Sequence, residues 1–311
     1  MRKIVGIGES VLDILFRDSQ PVAAVPGGST FNSMISLGRT AGRLLEDVKV
    51  MIVTQLGRDQ VSEIITSFIK RNGVSDEAVS LIDGIQSPVS IAMLDEKNDA
   101  HYEFFRDKEA PALVARDIDF APGDIVIFGS FFAIKEGTRD AVRQIVLKAK
   151  AAGAIIYYDI NFRKSHLLDL PATRPFIEEN CALSDIVRGS CEDIELVFGS
   201  ADPHLVYQQK MSSLCSTFVC TKGSKSAEVF SIAGSWEFPV EKIDTVSTIG
   251  AGDNFNAGLV YGLVSGKYEK DKVHCLDLSD WKHLVPVAMR FSANVCRSIF
   301  NYVDEDFYKT L

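Results

Sequence analysis

From Asp124 to about residue 232, apolar runs of strand length alternate with segments whose apolar residues recur at helical spacing. Ile125–Phe128 reads as a strand, Gly137–Ala151 as a helix and Ala154–Tyr158 as a strand again. A helix is predicted at about Pro171–Asn180, followed by strands near Ile186–Val187, at Thr217–Cys220 and at Glu228–Ile232. Two helices close the chain, one after Asp253 and one near Trp281–Phe300. Such alternation predicts the α/β class, a doubly wound, mostly parallel sheet flanked by helices. Ligands of these sheets sit at the carboxyl ends of the strands.

Upstream, Lys3–Glu9 and Val48–Leu56 read as strands, and Ser29–Leu45 and Asp59–Lys70 as helices. Two segments, about 12–26 and 87–106, break the alternation. Ile14–Phe16 and Val22–Val25 look like short strands, and Val89–Leu94 with His101–Phe105 forms a hairpin turning at Glu96-Lys97-Asn98-Asp99. Together they predict a small antiparallel β lid inserted into a single α/β domain spanning 1–311. Alone it would expose an apolar face, so it is expected to cover the site and to pair with a second copy in a homodimer.

Two glycine turns open helices. In Gly250-Ala251-Gly252-Asp253, apolar Phe255, Leu259, Val260 and Leu263 follow on one helical face. Unpaired backbone N–H groups at a helix start bind anions, and glycine allows close approach. An acid beside that pocket is the arrangement phosphoryl transfer to a hydroxyl needs: Asp253 takes the proton and the 250–252 amides hold the phosphates. A helix N-cap would account for Asp253 taken alone. At a helix N-terminus its pKa is expected to be lowered. The second turn, Gly27-Gly28, precedes Asn32 and would admit a sugar to the backbone while Asn32 aims its amide at the hydroxyls. Asp13 could accept hydroxyl protons from the same ligand.

Asp159, Asn161 and Arg163 alternate after a strand, so they face one side if the strand extends. Arg163 could meet phosphate or substrate oxygens bidentately. Ser190-Cys191-Glu192-Asp193 could hold Mg²⁺ through waters, or simply place acids in a first helical turn. Thr221 and Gly223 could line a nucleotide site or form a plain turn. Gly6-Ile7-Gly8 lacks the third glycine of a dinucleotide fingerprint.

The net charge of −9, without a long basic run, argues against nucleic-acid or anionic-membrane partners. The six cysteines contain no C-x-x-C pair and read as reduced thiols of a cytoplasmic protein. No signal-peptide pattern or membrane-length apolar run is present.

In order along the chain, these motifs resemble the ribokinase-like (PfkB) family of carbohydrate kinases, on its fructokinase side. The resemblance rests on Gly27-Gly28 with Asn32, Gly57-Arg58-Asp59, Phe104-Phe105-Arg106, Asp159-x-Asn161-x-Arg163 and Gly250-Ala251-Gly252-Asp253. It implies ATP- and Mg²⁺-dependent phosphorylation of a sugar hydroxyl, fructose first, then ribose or ketodeoxygluconate. It places Asp13, Gly27, Gly28, Asn32, Asn161 and Arg163 around the sugar, with Phe104 and Arg106 approaching from the lid. It places Ser190, Thr221, Gly223 and Asn294 on the nucleotide side, and Asp193 as a water-mediated Mg²⁺ contact. The family's D-T-x-G-A-G-D begins here with Ser247, a poor monovalent-cation ligand, so K⁺ activation is expected to be weak or absent. With Asp193 in place of the family's Glu, this departure leaves a non-catalytic sugar- or nucleotide-binding paralogue as the alternative.

Overall fold

The protein is described by a computed structural model covering residues 1–94 and 100–311. Its strands are β1 (Arg2–Ile7), β2 (Val11–Arg17), β3 (Gln20–Gly27), β4 (Val48–Gly57), β5 (Val74–Ser75), β6 (Val79–Ile82), β7 (Val89–Leu94) and β8 (Ala100–Phe105). They continue with β9 (Ile125–Gly129), β10 (Ile155–Asp159), β11 (Ile186–Ser190), β12 (Thr217–Thr221), β13 (Ser226–Ser231) and β14 (Gly234–Pro239). Ten strands form the main sheet, in the order β14-β13-β12-β11-β10-β9-β1-β4-β5 with β6 beside β4. Its strands run parallel from β4 to β12, and β13 and β14 add an antiparallel edge.

The central strands are apolar throughout because helices cover both faces. One face buries Ile4, Ile52, Ile125, Ile155 and Tyr157 against the helices Ser29–Arg39, Ala251–Ser265 and Leu278–Val295. The other buries Val5, Val53, Val126, Ile156 and Tyr158 against Arg139–Ala151, Leu170–Leu183 and Cys191–Phe198. Successive side chains of each strand therefore enter opposite cores. The expected α/β class is what the chain adopts.

The helix predicted over Ser29–Leu45 stops at Arg39, and a short turn, Ala41–Leu44, follows. Thr40 leaves the helical region (φ −114°, ψ −80°), and its hydroxyl donates to the Ser36 carbonyl at 2.7 Å. Asp59 caps the next helix, Gln60–Arg71, and accepts from the backbone N–H of Ser87 at 2.7 Å. The Gly57-Arg58-Asp59 motif thus ties a main-sheet strand to the chain entering β7.

The small sheet has the order β3-β2-β7-β8. Each hairpin is antiparallel, and the two meet in a parallel pair, with Leu12 opposite Val89 and Phe16 opposite Met93. A parallel seam arises because β7 follows β6, which pairs with β4 in the main sheet, rather than a turn beside β2. The predicted turn at Glu96-Lys97-Asn98-Asp99 lies outside the described residues. Among the described residues, no helix is long and apolar enough to cross a membrane.

Candidate active site

Gly250 is left-handed (φ 76°) and opens the helix Ala251–Ser265. A β-carbon there would stand 2.9 Å from the Asn301 carbonyl oxygen. Asn254 locks the turn, its Nδ2 donating to the carbonyls of Gly250 and Asn301, each at 2.8 Å. Asp253, in the first helical turn, is only 8% exposed. Ser29 Oγ donates to its Oδ1 at 2.8 Å, Asn32 Nδ2 donates to its Oδ2 at 2.8 Å, and Ser33 Oγ donates to its backbone carbonyl at 2.7 Å. The two helix starts thereby meet through one carboxylate. Burial raises the pKa of Asp253, against the hydrogen bonds from Asn32 and Ser29 and the charges of Arg163 and Arg188. The lowered value expected from the helix terminus is overturned, because desolvation of the carboxylate outweighs the groups that stabilise its charge.

The acceptor-side candidates converge on this carboxylate. Asn161 (φ 37°) donates from Nδ2 to Ser29 Oγ at 2.7 Å, making a relay from Asn161 through Ser29 to Asp253. Asn32 does not aim its amide outward as expected: Asp253 takes its donor, and its buried Oδ1 has no hydrogen-bond partner. Gly28 has φ 129°, and a β-carbon would meet the Glu9 carbonyl oxygen at 2.2 Å. At Gly27 a β-carbon would meet Asp13 Oδ2 at 2.4 Å, so this glycine makes room for the acid. Asp13 lies on β2, 4% exposed, and accepts from Ser90 Oγ. Burial pushes its pKa up to about 6, with Ser90 and Arg163 opposing.

Arg163 is exposed, and its charge acts on both Asp13 and Asp253. Arg106 binds Glu9 bidentately at 2.8 and 2.7 Å, and Lys135 stands 3.6 Å from the same carboxylate. Phe104 stacks on Tyr102 at 5.7 Å, and the Arg106 guanidinium lies 4.2 Å from its ring centroid.

Asp159, Asn161 and Arg163 do not continue a strand. β10 ends at Asp159, and the positive φ of Asn161 turns the chain. Asp193 causes this geometry: its Oδ1 accepts from the Phe162 N–H at 2.8 Å, while Oδ2 accepts from Ser190 N and Ser190 Oγ, both at 2.7 Å. Ser190 and Asp193 form a capping box for the helix Cys191–Phe198. Asp159 is buried and pairs with Arg188 Nη1 at 3.1 Å, and Asn256 Nδ2 donates to its other oxygen at 2.8 Å. Burial pushes Asp159 up to about 6, against the charge of Arg188.

Arg188 was missed by motif reading. It is 7% exposed on β11, and its Nη2 donates to Thr221 Oγ1 at 2.6 Å. A β-carbon on Gly252 would stand 2.9 Å from that Nη2 and 3.0 Å from Nη1. A permanent positive charge therefore underlies the Gly250–Gly252 turn. A charged residue inside the β11 apolar run was the available signal, but its partners lie on other strands. Gly223 forms an exposed left-handed turn (φ 59°) beyond Thr221. Ser292 Oγ donates to the Ala251 carbonyl at 2.7 Å, which brings the last long helix to the same turn. Asn294, two residues further on, is paired with Asp304: its Nδ2 donates to the Asp304 carboxylate at 3.0 Å and its Oδ1 accepts from the Asp304 N–H at 2.9 Å. Ser247 is buried, and its hydroxyl accepts from the Ile249 N–H at 3.2 Å. Among the described residues, no group of three or more His, Cys, Asp or Glu side chains could hold a metal ion.

The family model described as pfkB family carbohydrate kinase matches residues 1–278. The chain belongs to that family. This carbohydrate kinase is ATP-dependent. It is 26% identical over 268 residues to a fructokinase of Rhizobium leguminosarum bv. trifolii, covering 84% of this chain and 79% of the relative. It is 22% identical over 298 residues to the aminoimidazole riboside kinase of Salmonella typhimurium, covering 95% of this chain and 88% of the relative. A fructokinase of Vibrio cholerae O395, solved with fructose, ADP and potassium ion, superposes with a TM-score of 0.84 at 17% identity, over 97% of the kinase and 94% of that chain. An aminoimidazole riboside kinase from Salmonella enterica, solved with aminoimidazole riboside and an ATP analogue, gives 0.80 at 19% identity, over 99% of each chain.

Proposed function

We propose that this kinase transfers the γ-phosphoryl group of ATP to a sugar hydroxyl, fructose first, with ribose and ketodeoxygluconate as the next candidates. The observation that carries this reading is the buried Asp253 carboxylate, held by Ser29 and Asn32 beside the Gly250–Gly252 turn. Asp253 takes the acceptor proton as the hydroxyl oxygen bonds to phosphorus and the β–γ bridging P–O bond breaks, releasing ADP. Its raised pKa makes it a stronger base than a free carboxylate. The 250–252 amides, with Arg188 beneath them, stabilise the phosphoryl oxygens. Asn32 Oδ1 and Asp13 accept hydrogen bonds from the other sugar hydroxyls, Asn161 and Arg163 orient the ring, and Gly27 and Gly28 let it reach the backbone. Phe104 and Arg106 close over the sugar from the small sheet, which acts as the lid.

ATP lies across Ser190, Thr221 and Gly223, with Asn294 at the adenine side. Mg²⁺ neutralises charge on the nucleotide phosphates when bound. Both Asp193 oxygens already hold backbone amides, which fits contact with the ion only through water.

Fructokinases among the curated relatives favour fructose. The test is ADP release with ATP-Mg²⁺ against fructose, ribose, ketodeoxygluconate and aminoimidazole riboside. Fructose is expected to give the highest kcat/KM; turnover confined to the riboside would replace it, and binding without turnover on every sugar would favour the paralogue.

The outer face of the small sheet carries Ile14, Phe16, Ile91, Met93 and Phe105, the last two 41% and 50% exposed. This apolar face supports a homodimer through the lid strands. Sedimentation at micromolar concentration is expected to give twice the chain mass, and a monomer would contradict the dimer.

A further inference from the structure

Two cysteines that the kinase chemistry does not use stand at the junction of β11 and β12. Cys191 is the first residue of the helix Cys191–Phe198, and Cys220 is the penultimate residue of β12. Their sulfurs are 3.7 Å apart. The contact joins neighbours in space that are 29 residues apart in sequence. A disulfide requires the sulfurs to close from this separation to about 2.0 Å. Cys220 is fully buried, whereas Cys191 is partly exposed, so a small oxidant meets Cys191 first.

The two sulfurs differ in access, one partly exposed and the other buried behind it, so the outer sulfur is placed to attack and its neighbour to resolve. Cys275, although exposed, has no such sulfur beside it among the described residues, and its thiol faces the carbonyls of Asp271 and Lys272.

We infer that Cys191 and Cys220 form a peroxide-sensitive dithiol whose closure to a disulfide weakens nucleotide binding. The Cys191 thiolate attacks one oxygen of hydrogen peroxide, the O–O bond breaks, and the departing hydroxide leaves as water after protonation. Sulfur is oxidised to sulfenic acid. Cys220 sulfur then attacks the sulfenic sulfur; the S–S bond forms, the S–O bond breaks, and the hydroxyl leaves with the Cys220 proton as water. Two thiols and one peroxide give one disulfide and two waters. A dithiol reductant reverses the step.

The consequence follows from the neighbours. Ser190 precedes Cys191 and, with Asp193, holds Phe162 in place. Thr221 follows Cys220 and accepts from Arg188, the charge beneath Gly252. Drawing the sulfurs together pulls on both anchors at once. This consequence rests on the nucleotide-side assignment of Ser190 and Thr221 made above.

The test treats the full-length protein with hydrogen peroxide, blocks free thiols, and maps cysteine-linked peptides by mass spectrometry. A peptide pair joined through Cys191 and Cys220, abolished by a dithiol reductant, is expected. ADP affinity, measured by calorimetry, should fall about fivefold or more on oxidation and recover on reduction. Cys191→Ser should bind ADP normally and show no change with peroxide. Cys220→Ser should accumulate a sulfenic acid at residue 191 that dimedone traps. If both thiols remain free to alkylate after peroxide, or the linked cysteines are others, the inference is overturned. A mapped Cys191–Cys220 disulfide with unchanged ADP affinity overturns the coupling to the nucleotide. Failure of the reduced protein to bind ADP at all would instead overturn the kinase assignment, while peptide mapping still decides the disulfide.

Discussion

Asn32 donates from Nδ2 to Oδ2 of Asp253 at 2.8 Å, joining helix starts 221 residues apart in sequence. The bond favours the charged carboxylate, which burial disfavours. The Asn32→Ala substitution therefore raises the Asp253 pKa further. Since the base acts when ionised, activity is lost as pH falls through that pKa. The acid limb of the kcat–pH profile should move to higher pH in Asn32→Ala, with kcat at neutral pH lower by about tenfold or more. An unmoved acid limb would separate Asn32 from the base.

Asp13 is held at a cost in desolvation. Its folded pKa is about 6, above that of a free carboxyl. A raised carboxyl pKa means stability that is present at low pH and lost as pH rises through the folded value. Asp13→Asn removes that loss and should stabilise the protein at pH 7 by about 1 to 3 kcal/mol. The advantage should shrink as pH falls from about 6 toward 4 and vanish below it. Sugar affinity should drop at the same time. Urea unfolding across pH and sugar titration check the two halves; a variant less stable than the parent at pH 7 would contradict the first.

Arg188 and Asp159 form a buried ion pair at 3.1 Å. Arg188→Met leaves the carboxylate uncompensated and should destabilise by about 3 to 5 kcal/mol. Adding Asp159→Asn should recover much of the loss without restoring kcat, because the charge beneath Gly252 is still missing. Denaturant unfolding of the single and double variants measures the recovery. A double variant with full kcat would remove Arg188 from the phosphate site.

Ser247 presents a neutral hydroxyl that already accepts a backbone amide. Activity is expected to stay flat from zero to high K⁺ when ionic strength is held constant. Strong stimulation by K⁺ over an equal concentration of tetramethylammonium would contradict it.

The parts of this kinase that sequence revealed are local. Glycine turns, helix starts and apolar strand runs depend on neighbouring residues, so the α/β class and the turn before Asp253 were readable directly. The parallel pairing of β2 with β7 was not, because apolar alternation does not say which way a partner strand runs. Arg188 looked like one charge in an apolar run, and only the side-by-side pairing of β10, β11 and β12 brings it to Asp159 and Thr221. Asp193 fits a capping box or a metal contact equally well as sequence, and only its bond to the Phe162 N–H reveals the loop it restrains. The Asp253 environment depends on its burial, which composition and spacing do not convey.

The most direct test of the central claim is the single-turnover rate of phosphoryl transfer from saturating ATP-Mg²⁺ to the best sugar in Asp253→Asn. The Asn side chain keeps the shape but cannot take the hydroxyl proton. The account predicts a rate lower by about a thousandfold or more, with ATP and sugar affinities within about threefold of the parent. A rate within about tenfold of the parent would show that another group, or none, removes the proton.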